Sequence, residues 1–191
     1  MRNIFFLLTT LLLTSFQKTD NVRIDKVEAK KAFVLLNDIR ANPEKYYKQF
    51  SFLEGLEITN TELSWNDTLA KVAQAKALDM ARRNYFDHVN PDGYGLNYFI
   101  NKSGYKLNQE WLENIEDNYF ESAGAGVPNG ASAIRGLIID KGDPLHGHRK
   151  HLLGIEDWNA SLVDIGIGFA RRDSGSRYKT YVSVIIAKHD W

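Results

Sequence analysis

Residues 163–170, Val-Asp-Ile-Gly-Ile-Gly-Phe-Ala, decide how the C-terminal third of this chain folds. Large apolar residues alternate there with small or polar ones, and a period of two is typical of a β-strand. Residues 178–187 are rich in Tyr, Val and Ile, and the intervening Asp-Ser-Gly-Ser at 173–176 is typical of a turn. The C-terminal third is therefore predicted to form a β-hairpin.

The earlier part of the chain shows the longer period of helices. Beyond Asn66, a predicted N-cap, one helical face carries the apolar residues Leu69, Val72, Ala73, Ala77 and Met80. Residues 25–41 place apolar side chains at mixed spacings of three and four, which predicts a helix that ends before Pro43. A second, short helix is predicted over residues 43–50.

Shorter elements are predicted between these segments. Residues 94–103 and 131–140 read as helices, residues 142–147 as a loop that contains Pro144, and residues 111–115 as a strand. Helices that precede strands in this way predict an α+β fold.

The first segment has the layout of a secretory signal. A short positive start at residues 1–3 precedes a mostly apolar run over 4–13, and polar residues follow from Gln17. The apolar run is too short to span a bilayer comfortably. We expect a signal peptide over 1–18, a lead-in over 19–29, a single domain over 30–191, and a secreted or periplasmic location.

Composition limits the functional classes. The chain has 191 residues, of which 43% are hydrophobic, and this suffices for the core of one domain. Lys plus Arg and Asp plus Glu number 24 each, so the balance does not suggest a nucleic-acid partner. Cysteine is absent, which excludes disulfides and acylation through cysteine. No nucleophile elbow or phosphate-binding loop is present either.

Several short motifs occur in a recognisable order. They are Leu-Leu-Asn-Asp-Ile-Arg at 35–40, Leu-Ser-Trp-Asn at 63–66, Glu-Asn-Ile at 113–115, Gly-His-Arg at 147–149 and Ile-Gly-Ile-Gly at 165–168. Their order and spacing resemble the CAP superfamily, which contains cysteine-rich secretory proteins, antigen 5 and pathogenesis-related protein 1. The chain is most similar to the bacterial, cysteine-free type, and the resemblance covers roughly residues 30–188. It implies a three-layer α/β/α sandwich.

The resemblance also implies a cavity lined by two histidines and two acids. Matched by motif, these are His88, Glu113 and His148, with Asp140 in the second acidic position, where many members have the longer Glu. Two imidazoles with carboxylates form a reasonable Zn²⁺ site, with His88 and His148 as the predicted ligands. Without metal, the same groups would form a hydrogen-bonded network that satisfies itself.

Other polar residues near these motifs are predicted to have structural roles. His146 and His151 are predicted to lie in a loop and on a helix surface, and Arg149 to form an ion pair or cap carbonyl groups. A predicted solvated acidic face contains Glu110, Glu113, Glu116, Asp117 and Glu121.

Aromatic residues are dense between positions 85 and 120. Most are predicted to fill the core, and Tyr98, Trp111 and Tyr119 are candidates for the wall of a ligand groove.

Two functions remain open from the sequence. The first is an exported binding module for a lipid, peptide, glycan or extracellular protein. The alternative is a metal-dependent hydrolase with His88 and His148 as ligands and Glu113 as general base.

Overall fold

The computed structural model describes residues 21–59 and 61–189, so the predicted signal peptide lies outside the described residues. The strands are β1 (Val22–Ile24), β2 (Ser64–Trp65), β3 (Glu121–Ala125), β4 (Asp164–Arg172) and β5 (Thr180–Ala187). The helices are α1 (Lys26–Ala41), α2 (Asp67–Arg83), α3 (Leu96–Lys102), α4 (Gly130–Ile139), α5 (Gly147–Leu153) and α6 (Asp157–Ala160).

One sheet organises the fold, with strand order β1-β4-β5-β3. The predicted hairpin of β4 and β5 is its centre, and Ile167 lies opposite Val184 in the antiparallel ladder. The two short strands share the outer edge of β4: β2 pairs in parallel with its first residues, and β1 pairs antiparallel with its last. The opposite edge of the sheet is β3.

Helices cover both faces of the sheet and complete the predicted three-layer α/β/α sandwich. Helix α2 lies across β4 and β5, and the alternating glycines of β4 allow its close approach. A Cβ atom on Gly166 or Gly168 would lie 2.2 Å from the backbone nitrogen of Ala70 or 2.1 Å from the carbonyl oxygen of Ala73. Helices α1, α4 and α5 pack together as the other layer. The sequence pattern of 163–170 therefore encodes both a strand and a helix contact.

The long periodic segments were predicted correctly, whereas several short ones were not. Helix α2 begins after Asn66, whose side chain accepts hydrogen bonds from the backbone of Thr68 and Leu69. The short helix predicted over residues 43–50 is wrong. The chain forms a 3₁₀ helix at Pro43–Tyr46 and another at Ser51–Leu53, and a turn joins the two.

The strand predicted over 111–115 is wrong. Residues Gln109–Leu112 form a 3₁₀ turn, in which the side chain of Asn108 accepts a hydrogen bond from the backbone of Glu110. The strand of this region is β3, whose Glu-Ser-Ala-Gly-Ala sequence contains no β-branched or aromatic residue. Pairing with β5, rather than intrinsic propensity, makes it a strand.

The predicted lead-in over 19–29 is not separate from the domain in the residues described. It contributes β1 and the first turn of α1, and Asp25 caps that helix by accepting from the backbone of Glu28. None of the helices among the described residues is long and apolar enough to cross a membrane.

Candidate functional site

A polar cleft of about 400 Å³ opens at the start of the edge strand β3. The loop after α2, the segment leading into β3, and helices α5 and α6 contribute to its wall. Its lining residues are His88, Asn118, Tyr119, Glu121, Ser122, Asp143, Gly147, His148, Lys150, His151 and Asn159. The cleft therefore brings together the two histidines that the sequence predicted, His88 and His148.

The first histidine is held by a carboxylate that the sequence analysis assigned elsewhere. The Nδ1 atom of His88 lies 2.9 Å from Oε2 of Glu121, and the other carboxylate oxygen accepts a hydrogen bond of 2.6 Å from Ser183. The Glu121 side chain is fully buried, whereas that of His88 is 40% exposed. Glu121 therefore orients the imidazole from within the sheet and is no part of a solvated face.

The second histidine is held in the same way by Asp140. Its Nδ1 atom lies 2.8 Å from Oδ1 of Asp140, and the backbone N–H of His148 donates to Oδ2 at 2.9 Å. Asp140 ends α4 in the left-handed conformation with φ of 49°, so its carboxylate turns towards the start of α5. Asp140 was predicted to line the cavity, whereas the structure places it behind His148 and outside the lining of the cleft.

Asp143 is a cleft residue that sequence reasoning missed. Its carboxylate accepts hydrogen bonds from the backbone of Leu145 and Gly147, and these bonds lower its pKa. Ligand atoms of Asp140, Asp143 and His148 lie within 4.8 Å of one another, which makes this a possible metal-ligating group within the described part of the chain. The Asp143-Pro144 pair, which is typical of a turn, was the feature of the sequence that could have placed Asp143 just before helix α5.

His151 is buried rather than on the helix surface as predicted. Its Nδ1 atom lies 2.7 Å from the hydroxyl of Ser122, and Nε2 lies 3.2 Å from the carbonyl oxygen of Ile186. Because a carbonyl oxygen only accepts, Nε2 carries the proton and Ser122 donates to Nδ1. Burial lowers the pKa of His151 to about 4, so the imidazole is neutral. The adjacent Leu152 and Leu153 were the sequence signal for this burial.

Glu113 does not occupy the predicted position in the cavity. It is exposed after the 3₁₀ turn at Gln109–Leu112 and is absent from the lining of the cleft. The predicted carbonyl-capping role of Arg149 is present, since its guanidinium donates to the carbonyl oxygens of Ile138 and Ile139 at 2.7 and 2.6 Å.

The three groove candidates do not form one wall. Tyr119 lines the cleft and is 45% exposed. Trp111 packs edge-on against Phe120 at a ring distance of 5.4 Å, and Tyr98 packs against Tyr94 at 4.6 Å. Neither Trp111 nor Tyr98 lines the cleft.

The geometry of the cleft favours ligation by imidazole. Each of His88 and His148 uses Nδ1 on a buried carboxylate, and neither Nε2 atom has a hydrogen bond to the described residues. Metal-binding histidines are commonly oriented by such carboxylates, which fix the tautomer with the lone pair on Nε2. Imidazole nitrogens with a lone pair are donors that a divalent cation such as Zn²⁺ accepts.

Residues 36–186 match the Cysteine-rich secretory protein family, and the chain belongs to this family, abbreviated CAP. It is 30% identical over 129 residues to the protein YkwD of Bacillus subtilis (strain 168). That match covers 63% of this chain and 42% of YkwD, so the chain spans about two fifths of the relative's length.

Two solved structures share the fold. An extracellular protein containing an SCP domain from Bacillus anthracis str. Ames superposes with a TM-score of 0.54 and 23% identity, over 86% of this chain and 41% of that one. An outer surface protein from Borrelia burgdorferi superposes with a TM-score of 0.55 and 16% identity, over 89% of this chain and 99% of that one.

Proposed function

We propose that this protein is an exported CAP-domain binding module whose cleft binds a divalent cation, with Zn²⁺ as the best match. The Nε2 atoms of His88 and His148 are the proposed protein ligands, and positions left open on the ion would accept an oxygen or nitrogen atom of a small ligand, a peptide or a glycan. Export is supported by the signal-like pattern of residues 1–18 and by two structural relatives that are described as extracellular or outer-surface proteins.

The observation that carries this proposal is the pairing of each cleft imidazole with its own buried carboxylate. The Glu121 and Asp140 side chains are 0% and 5% exposed, so their negative charge remains close to the two rings. A cation between the imidazoles would balance this charge, since a buried carboxylate is costly without a partner. A network that only satisfied itself would not need two partly exposed rings with unused Nε2 atoms.

The geometry gives less support to the hydrolase alternative. That alternative uses Glu113 as general base, and the Glu113 carboxylate lies outside the cleft. Glu121 is not a ready substitute, because one of its oxygens contacts His88 and the other accepts from Ser183. A general base must reach the proton that it removes.

Calorimetric titration with Zn²⁺ tests the proposed site. We expect one ion per chain, with a rise in melting temperature that grows with the free metal concentration. The double variant His88→Ala/His148→Ala should lose both effects, and Glu121→Gln should lower the affinity by about 10- to 100-fold through the orienting bond.

His146→Asn is the matched control. His146 is adjacent to the cleft residues but does not line the cleft, and its left-handed φ of 53° is one that Asn tolerates. This variant should bind Zn²⁺ as the wild type does. Binding that persists in the His88/His148 double variant, or that is lost in His146→Asn, would contradict the ligand assignment.

A further inference from the structure

A second concave site lies between α2 and α3, on the outer side of the α2 layer. Its volume is about 620 Å³, which is within the usual range for a small-molecule pocket. Apolar side chains from both helices line it, among them Val72, Leu78, Leu96 and Phe99. We call this site the α2/α3 groove.

The charges around the α2/α3 groove are unbalanced. Five basic residues line it, against the two acids Asp79 and Asp92, in a chain whose net charge is zero. Arg83 forms ion pairs with Asp92 at 2.9 Å and with Asp79 at 3.8 Å, so both acids of the groove already have a basic partner. Among the described residues, Lys71 and Arg82 have exposed side chains and form no ion pair.

One cation of the groove is buried. Lys76 is 5% exposed, and its ammonium group donates to the carbonyl oxygen of His88 at 2.7 Å and to the hydroxyl of Tyr85 at 3.3 Å. An ammonium group has three N–H donors, so one of them has no acceptor within the described residues. No carboxylate there lies within 4.0 Å of the Lys76 ammonium group, whose Nζ atom is 4.9 Å from the centre of the Tyr85 ring. Burial lowers the pKa of Lys76, and the more distant carboxylates of Glu121, Asp79 and Asp87 counteract that shift.

We propose that the α2/α3 groove binds a small amphiphilic anion, which is a compact apolar body with one carboxylate or sulfonate group. The apolar body would lie against Val72, Leu96 and Phe99. The anionic group would take the spare donor of Lys76 and face the positive charge of Lys71 and Arg82. None of these residues lines the cleft that holds His88 and His148, and Lys76 contacts only the backbone carbonyl of His88, so the two sites are neighbours with different linings.

A fluorescent aromatic sulfonate, anilinonaphthalene sulfonate, is the first probe, and the full chain is the protein to use. We expect saturable binding of one probe per chain, which decanoate or naphthoate displaces. Decanol has the same alkyl chain as decanoate without the charge, so we expect decanol to compete at least tenfold more weakly. Comparison of decanoate with naphthoate distinguishes an aliphatic from an aromatic ligand.

Variants of exposed residues avoid the risk that a change at buried Lys76 unfolds the protein. Lys71→Glu/Arg82→Glu should remove the preference for decanoate over decanol, since the groove then repels an anion. Ala75→Trp should abolish probe binding, because Ala75 is an exposed residue of the groove and the indole would fill it. Lys48→Glu/Lys106→Glu is the matched control, with the same change of net charge at exposed sites outside the groove.

The proposal is overturned if the wild type shows no saturable, displaceable binding, or if decanol competes as well as decanoate. It is also overturned if the Lys48/Lys106 control weakens binding as much as the groove pair, or if Ala75→Trp leaves binding intact. None of these outcomes affects the zinc titration, because the substituted residues do not line the cleft.

Discussion

At the scale of the residue, hydrogen bonds rather than sequence motifs decide what each histidine does. His88 and His148 have Nδ1 against a carboxylate and remain 40% and 31% exposed. His151, three positions after His148, is enclosed between a hydroxyl and a carbonyl oxygen and is 7% exposed. The same side chain therefore serves as a candidate ligand in two places and as a neutral buried group in the third.

The burial of His151 predicts a specific loss of stability in acid. The pKa of His151 is lowered by burial from its ordinary value of 6.5 to about 4. The unfolded chain therefore takes up a proton near pH 6.5, whereas the folded chain resists protonation until about pH 4. The contribution is present above pH 6.5 and is lost as the pH falls through this window, and it amounts to roughly 3 kcal/mol. Urea unfolding at pH 7, 6 and 5 measures the upper part of this slope.

Two variants separate the titration of His151 from its hydrogen bonds. His151→Gln can still accept from Ser122 and donate to Ile186, but it does not titrate, so its stability should change little between pH 7 and pH 5. Ser122→Ala should lose about 1 kcal/mol at every pH and retain the slope. Carboxylates with a lowered pKa, such as Glu28 beside Lys31, act only below the ordinary value of 4.5. A wild-type slope in His151→Gln would refute the assignment.

At the scale of the element, α4 and α5 are joined by reciprocal caps. Asp140 ends α4, and its carboxylate accepts from the backbone N–H groups of His148 and Arg149 at 2.9 and 3.3 Å. In the other direction, the Arg149 guanidinium of α5 donates hydrogen bonds to the last carbonyl oxygens of α4. A carboxylate at a helix start and a guanidinium at a helix end both have favourable interactions with the helix dipole. These contacts fix the direction in which α5 presents His148 to the cleft.

Asp140→Asn should retain this junction while changing the tautomer of His148. Asn tolerates the left-handed conformation, and its oxygen can still accept from the backbone of His148. Its NH₂ group would then face Nδ1, which must become an acceptor, so the proton moves to Nε2. We expect stability within about 1 kcal/mol of the wild type, because both caps remain. Nitrogen NMR of the imidazole should report the exchanged tautomer, and the affinity for Zn²⁺ should fall about 10- to 100-fold.

Asp140→Ala provides the comparison, since it loses the caps as well as the imidazole partner and should be destabilised by about 2 kcal/mol. An unchanged His148 tautomer in Asp140→Asn would show that Asp140 does not orient the ring.

Elements with a strong period could be predicted from the sequence, and elements made by tertiary contacts could not. The stripe that follows Asn66 and the alternation over 163–170 predicted α2 and β4 correctly. Strand β3 has no local signal, because its pairing with β5 and the bond from Ser183 to Glu121 are contacts distant in sequence. The partner of His88 was mispredicted for the same reason. The Glu-Asn motif at Glu113 predicted an acid in the cavity, whereas the acid that contacts His88 is Glu121, at the start of β3.

At the scale of the whole molecule, the sheet separates the features that bear on function. The cleft opens at one edge, where β3 begins, and the α2/α3 groove lies on the outer side of one helical layer. At the other edge, β1 pairs with the end of β4. The first strand of the described residues therefore lies at the edge of the sheet opposite the cleft.

This arrangement predicts how much of the N-terminal region the domain needs. A chain that starts at Thr19 retains β1, whereas a chain that starts at Asp25 lacks it and exposes the edge of β4 over 170–172. Val22 and Ile24 pack against the buried cluster of Met80 and Tyr181, so their loss should cost roughly 2 to 4 kcal/mol. Arg23→Ala in the longer chain should cost under about 1 kcal/mol, because its ion pair with Asp173 is half exposed. Urea unfolding of the three proteins measures these differences, and equal stability of the two truncated chains would mean that β1 is dispensable and that the domain begins at α1.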